Sequence, residues 1–214
     1  MKNVLGYCLS FLLAFSLVAC SKPASADEIK SDKPRITLPT ASQTDVAAVV
    51  AGNNAFAFQL FQQLKNKDGN LFYSPHSISV AMAMTYAGAR TATGQQMADT
   101  LLFTLPHDRL HPAINSLALA LGTRGQGAQG KDGEGFRLNI VNAIWGQKDY
   151  SFLPEYLDIL AENYGAGLRI LDFITKTENS RITINDWVSG QTEGRIKDLI
   201  SQGAITPLTR LVLT

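Results

Sequence analysis

Cysteine is almost absent from this 214-residue chain: Cys8 and Cys20 are the only two. No disulfide can form beyond residue 20, so whatever folds downstream is held together by its core. Charge of one sign is lacking as well, with 19 Lys and Arg against 18 Asp and Glu, a formal net charge of +1. No basic block and no interleaving of aromatic with basic residues occurs. Nucleic acid is therefore not an expected partner. Long hydrophobic stretches are missing too. The longest, residues 4–19, has sixteen residues, fewer than the roughly 20 that a membrane-spanning helix needs. The length itself allows one domain with a tail.

The N-terminus holds a pattern of its own. Lys2 is the only charge ahead of the apolar run, as in a secretory signal peptide. Leu17-Val18-Ala19-Cys20 resembles a bacterial lipoprotein box, which makes residues 1–19 a signal peptide and Cys20 a lipidated mature N-terminus. Ordinary secretion and a retained anchor are the alternatives. Cleavage removes Cys8 and takes Lys2 from the 19 basic residues, leaving 18 of each sign. Residues 20–44 carry Pro23, Pro34 and Pro39, mixed charges and few large apolar groups. Such a segment cannot bury enough surface to fold alone and is expected to be a flexible tether. The folded domain is expected over residues 45–214, exported and lipid-anchored at the cell envelope or outside the cell.

Within that domain, Val46, Val49, Val50, Phe56, Ala57, Leu60, Phe61 and Leu64 fall at helical spacing and stop at Lys67-Asp68-Gly69-Asn70. Residues 71–73 form a short apolar β-run. Ser74 is placed to cap a helix that Pro75 opens. Ala81, Ala83, Ala87 and Gly88 leave that helix little bulk, so it is expected to be buried on all sides. Thr93 and Gln96 have capping-box spacing for the next helix, and Pro112 is expected to open a fourth. Residues 123–135 are glycine-rich and polar, a surface loop. Residues 136–145 alternate with apolar groups on both faces, the pattern of a strand inside a covered sheet. A helix over 154–164, a β-run over 168–173, a helix over 182–188 and a strand at 211–214 complete an α+β pattern.

Three motifs imitate catalytic chemistry. Gly125-Gln126-Gly127-Ala128-Gln129-Gly130 has the letters of a dinucleotide loop, but a helix precedes it and a strand follows, the reverse of what pyrophosphate binding requires. His107-Asp108-Arg109-Leu110-His111 imitates a zinc helix. Pro106 and Pro112 argue against both imidazoles sharing one helical face, and no third ligand is apparent, so both are expected to face solvent. Ser74, His76 and Ser77 suggest a nucleophile and a base, yet a base two residues along a helix start does not face the hydroxyl. No catalytic residue, cofactor or metal site is assigned. Trp145 and Trp187 are expected to pack between helix and sheet.

The run from Leu71 to Leu101, LFYSPHSISVAMAMTYAGARTATGQQMADTL, closely resembles the N-terminal signature of the serpins, a family made mostly of suicide inhibitors of serine and cysteine proteases. Ile184-Asn185-x-Trp187-Val188 and the following Thr192-Glu193-Gly194-Arg195-Ile196-Lys197-Asp198 look like the family's helix-F region. Leu211-Val212-Leu213-Thr214 looks like the start of the third strand of its main sheet. The resemblance implies a serpin-like fold and no enzyme activity. A cleaved bait loop would insert into the main sheet as a new strand and trap the protease. It also implies that Ser74 and Ser77 are the two serines of the "shutter" beneath that sheet, a conformational role. By the same resemblance the reactive bond and its loop lie C-terminal to Thr214, so this chain alone is not expected to inhibit. The alternative is a non-inhibitory binding or chaperone-like module tethered to a bacterial membrane.

Overall fold

The computed structural model describes residues 26–124, 135, 138 and 140–214. The expected signal peptide, Cys20 and the glycine motif at 125–130 lie outside the described residues.

Ser42 caps the first helix, α1 (Gln43–Leu64), its hydroxyl accepting the Asp45 N–H at 3.1 Å. This satisfies one of the donors that every helix start leaves open. The expected stripe turns Phe56 inward, while Phe58 and Phe61 stay exposed. Three more helices follow: α2 (Pro75–Tyr86), α3 (Thr91–Leu101) and α4 (His107–Gly122). The carboxylate of Asp45 binds Arg109 and ties α1 to α4. That guanidinium, with desolvation opposing it, holds Asp45 below the ordinary carboxylate range.

The chain then builds β2 (Ile144–Gln147), α5 (Pro154–Tyr164), β3 (Leu168–Leu171), α6 (Thr177–Gln191) and β4 (Leu211–Leu213). Leu153 precedes a proline at the α5 start, and Gly165 ends that helix in the left-handed conformation, φ 61°. With β1 (Asp27–Ile29) these strands form one mixed sheet in the order β1-β3-β2-β4. β2 and β3 run parallel, as a strand–helix–strand unit built on α5 requires. Both outer pairs are antiparallel.

Alternation along the strands gives the sheet two apolar faces. Ile144 and Leu168 pack against Met84 of α2 and Ala87 at its C-cap, and against Tyr156 and Leu160 of α5. Trp145 packs on the other face with Phe173 and with Ile184 and Val188 of α6. The α+β class, the last two helices and the helix–sheet seat of both tryptophans therefore match expectation.

Several expectations are corrected. Residues 71–73 pair with no strand among the described residues, and Phe72 is 98% exposed. A β-run is a strand only through its neighbours, whatever its propensity. Thr93 lies inside α3, whose cap position is Arg90 and has no side-chain cap bond. α4 starts at His107 and carries Pro112 in its second turn, where the loss is one hydrogen bond near a helix start. The strand expected over 136–145 occupies Ile144–Gln147, and Leu138 and Ile140 are exposed. Positions 136, 137 and 139 lie outside the described residues. Finally, the segment expected to be a tether is docked from Asp27 onward, because main-chain pairing and ions, not apolar burial, hold it.

Candidate functional site

Three features of this fold carry chemistry or motion. The first is the start of α2. Ser74 has extended backbone, φ −111° and ψ 103°, Pro75 takes the first helical position, and the Ser74 hydroxyl accepts the Ser77 N–H at 3.2 Å. Among the described residues no hydrogen bond joins His76 to either serine, and burial lowers the His76 pKa. Ser74 therefore acts as a helix cap here. The far end of the same helix, at Met84 and Ala87, lies beneath β2 and β3, so α2 links Ser74 and Ser77 mechanically to the sheet.

The second feature is the edge strand β4. Ala143 and Thr214 exchange both main-chain hydrogen bonds, at 2.8 and 3.1 Å. The Trp145 indole donates to the Thr214 hydroxyl at 3.1 Å. Across the sheet, cross-strand register aligns Glu28 with Arg169, Arg169 with Trp145, and Trp145 with Val212. The Arg169 guanidinium lies 5.5 Å from the Trp145 ring centre and 4.8 Å from that of Trp187 on α6, within reach of a cation–π attraction to both. Asn185 of α6 binds the loop that leads to β4, donating to the Ile200 carbonyl at 2.9 Å and accepting its N–H at 2.8 Å. One outer strand of the sheet is thus β4, and α6 is fastened to the segment that delivers it.

The third feature is a buried polar chain that residue scanning did not assign. His111 is 2% exposed. Its Nδ1 lies 2.7 Å from the Tyr164 hydroxyl and its Nε2 lies 3.3 Å from His107 Nδ1. His107 in turn stacks on Tyr86 with ring centres 4.1 Å apart. The two histidines do share a helical face, contrary to expectation, because the helix runs through Pro112; His111 is buried and His107 is half-buried. Burial, then the neighbouring His107 and Arg90, drive the His111 pKa down to about 3, so the ring is neutral. Burial raises Tyr164 far above the usual phenol range. Among the described residues no group of three His, Cys, Asp or Glu could hold a metal ion. The i, i+4 histidine spacing was the available signal, and Pro112 masked it. With each ring nitrogen of His111 engaged, this cluster joins α2, α4 and α5 and has no nucleophile to activate.

Comparison with known proteins adds to this geometry. The family model described as serpin (serine protease inhibitor) matches residues 51–214. Leukocyte elastase inhibitor A of Mus musculus is 40% identical over 165 residues, 76% of this chain and 41% of the relative. An uncharacterised serpin-like protein of Thermococcus kodakarensis is 39% identical over 166 residues, 78% of this chain and 37% of that protein. The chain thus spans about two fifths of the length of the curated relatives it matches. Emu ovalbumin superimposes with a TM-score of 0.64 at 27% identity, over 78% of this chain and 45% of that one. A loop-inserted structure of a cleaved ovalbumin mutant gives 0.63 at 26% identity with the same coverage.

Proposed function

The chain belongs to the serpin family, and from that membership we propose that it is the N-terminal part of a serine-protease inhibitor acting as a suicide substrate by loop insertion. The observation that carries the reading is the edge strand. Among the described residues β4 is paired on one side only, by β2, and its other side offers main-chain donors and acceptors to a further strand. Strand addition of that kind is how an inserted serpin loop is held, and the handover of a cleaved loop to a sheet edge is itself the strain release. Similarity to leukocyte elastase inhibitors supports a serine protease as the target class. α6 covers one face of the sheet and Asn185 holds it to the segment leading to β4, so an insertion that shifts β4 would strain these contacts.

On this reading no residue of the chain makes or breaks a bond. Ser74 and Ser77 serve the sheet as shutter residues, with α2 as the lever between them and β2. The leader pattern supports export with Cys20 lipidated, so that the inhibitor works at a bacterial envelope. The deciding experiment incubates the protein that carries this segment with elastase-, chymotrypsin- and trypsin-like enzymes. One-to-one complexes that survive SDS are expected with at least one of them. Their absence with all three would favour a binding or chaperone-like module.

A further inference from the structure

The segment before α1 lies outside the matched family region, which begins at residue 51, yet it is built into the domain. Ala26 packs against the cluster on the α6 side of the sheet. Residues 27–29 then pair antiparallel with β3 at its outer edge. The chain continues to the opposite side, where Ser31 donates to Asp158, and Lys33 lies 3.0 Å from Asp158 and 3.4 Å from Glu162 on α5. The Ile36 N–H donates to the Glu162 carbonyl at 2.9 Å. Arg35 Nε donates to Asn115 Oδ1 at 3.0 Å, and Asn115 Nδ2 donates to the Ile36 carbonyl at 2.7 Å. Asn115 lies on α4 and is fully buried, so its amide depends on this segment for most of its partners. A buried amide left without them would be costly.

The seat is cut for its occupant. A Cβ on Gly167 would sit 2.7 Å from Glu28 Cγ and 2.9 Å from Lys30 Cβ. The Gly167 backbone is not left-handed, so conformational freedom gives no reason for glycine there. The close passage of residues 28–30 does. Nothing large and apolar holds the segment down, since Ile29, Ile36 and Leu38 are all exposed. Short strand pairing and half-exposed ions supply the attachment, and both are open to competition from water and salt.

We propose that residues 26–36 are a detachable clamp, seated in a groove formed by β3, α4 and α5, which ties the outer edge of the sheet to both of its faces. Seated, the clamp couples β3 to α4, α5 and the α6 cluster; released, it leaves that edge free. The consequence for inhibition rests on the loop-insertion reading above: sheet expansion at β4 would be governed from the opposite edge.

The test is amide hydrogen exchange on the full chain. Gly167→Ala should displace the clamp and accelerate exchange in β3 by about tenfold, as local opening replaces global opening. Lys33→Glu combined with Arg35→Glu should do the same through the ionic half of the seat. Gly190→Ala, where a Cβ meets nothing within 4 Å, is the control and should leave β3 unchanged. A synthetic peptide of residues 26–36 added to a chain lacking them should restore β3 protection in a saturable way. Unaltered β3 exchange in both clamp variants, or a peptide that restores nothing to a folded deletion variant, overturns the proposal. No protease enters the measurement, so a failure of inhibition and a failure of the clamp are told apart.

Discussion

Trp145 on β2 and Trp187 on α6 meet edge to face, with ring centres 5.4 Å apart and planes at 84°. That geometry is preferred because the positive edge of one ring meets the negative face of the other. Arg169 from β3 lies over both rings, so one contact joins the two central strands to the helix that covers them.

Truncating the buried partner should be severe. Trp145→Ala removes a fully buried indole and the bond to Thr214, and a loss of roughly 3–5 kcal/mol is expected. Trp187→Ala should cost less, since that ring is only partly buried. A double-mutant cycle by chemical denaturation should find a coupling of about 0.5–1.5 kcal/mol between them. Strict additivity would mean the ring contact contributes nothing.

The two serines at the α2 start separate by role. Ser74→Ala deletes a cap whose acceptor is the side chain itself, and about 1 kcal/mol of stability should go with it. Ser77 contributes its main-chain N–H to that bond, so Ser77→Ala keeps the cap and should leave the unfolding midpoint nearly unchanged. If Ser77 is a shutter residue, its substitution should instead alter the rate of loop insertion in the protein that carries this segment. Equal losses of stability in the two variants would contradict the cap assignment.

His111 sets an acid limit. Its folded pKa of about 3 lies below the ordinary 6.5, so the unfolded chain takes up a proton that the folded chain refuses. Stability from this group is full above pH 6.5 and falls as pH drops toward 3, by roughly 1.4 kcal/mol per unit. Asp45, Asp158, Asp172 and Glu178 are all held below their usual values, and they add their own losses only nearer pH 4. Thermal unfolding followed from pH 7 to 4.5 therefore reads the histidines, and because burial also lowers His76 and His107, the part due to His111 is taken from its variant. His111→Gln should be less stable at pH 7 and lose most of the slope between pH 6 and 5; a slope equal to the parent's would place the sensitivity elsewhere.

The proposed lipidation at Cys20 has a direct readout. Each buried CH₂ of an acyl chain is worth about 0.8 kcal/mol, and several chains together give firm attachment. Cys20→Ser should move the protein from the membrane pellet to the soluble fraction. Retention in the pellet would argue for another anchor.

Helix periodicity carried most of the fold, because an apolar stripe such as Val46 to Leu64 has a spacing that the sequence cannot conceal, even though only Phe56 of it is buried. Pro112 misled in a specific way. Proline argues against helix on average, but in the second turn of a helix it removes only one bond, and the histidine pair was misplaced with it. Residues 71–73, 138 and 140–142 have strand-like composition without strand partners among the described residues, and pairing is a property of the whole sheet. The clamp was the least legible part. Its prolines and mixed charges have the composition of an unfolded linker, and what seats it, the missing Cβ of Gly167 and the amide of Asn115, lies far away in sequence. The shutter role of Ser74 and Ser77 rests on family resemblance; residue chemistry pointed only to the cap, which the structure shows.

The two outer strands of the sheet also dictate when it can form. Ser31 meets Asp158 across 127 positions and Trp145 meets Thr214 across 69, whereas α1 to α4, although Asp45 meets Arg109 across 64, are complete at Gly122. Such distant closures are slow, and a chain emerging from a ribosome has its helices assembled well before either edge of the sheet exists. The parallel β2–β3 pair is then for a time an apolar ribbon with two bare margins. If the protein is exported as proposed, its passage has to outpace that interval or be escorted through it, and an unfolded translocation route suits the chain better than one that demands a finished sheet.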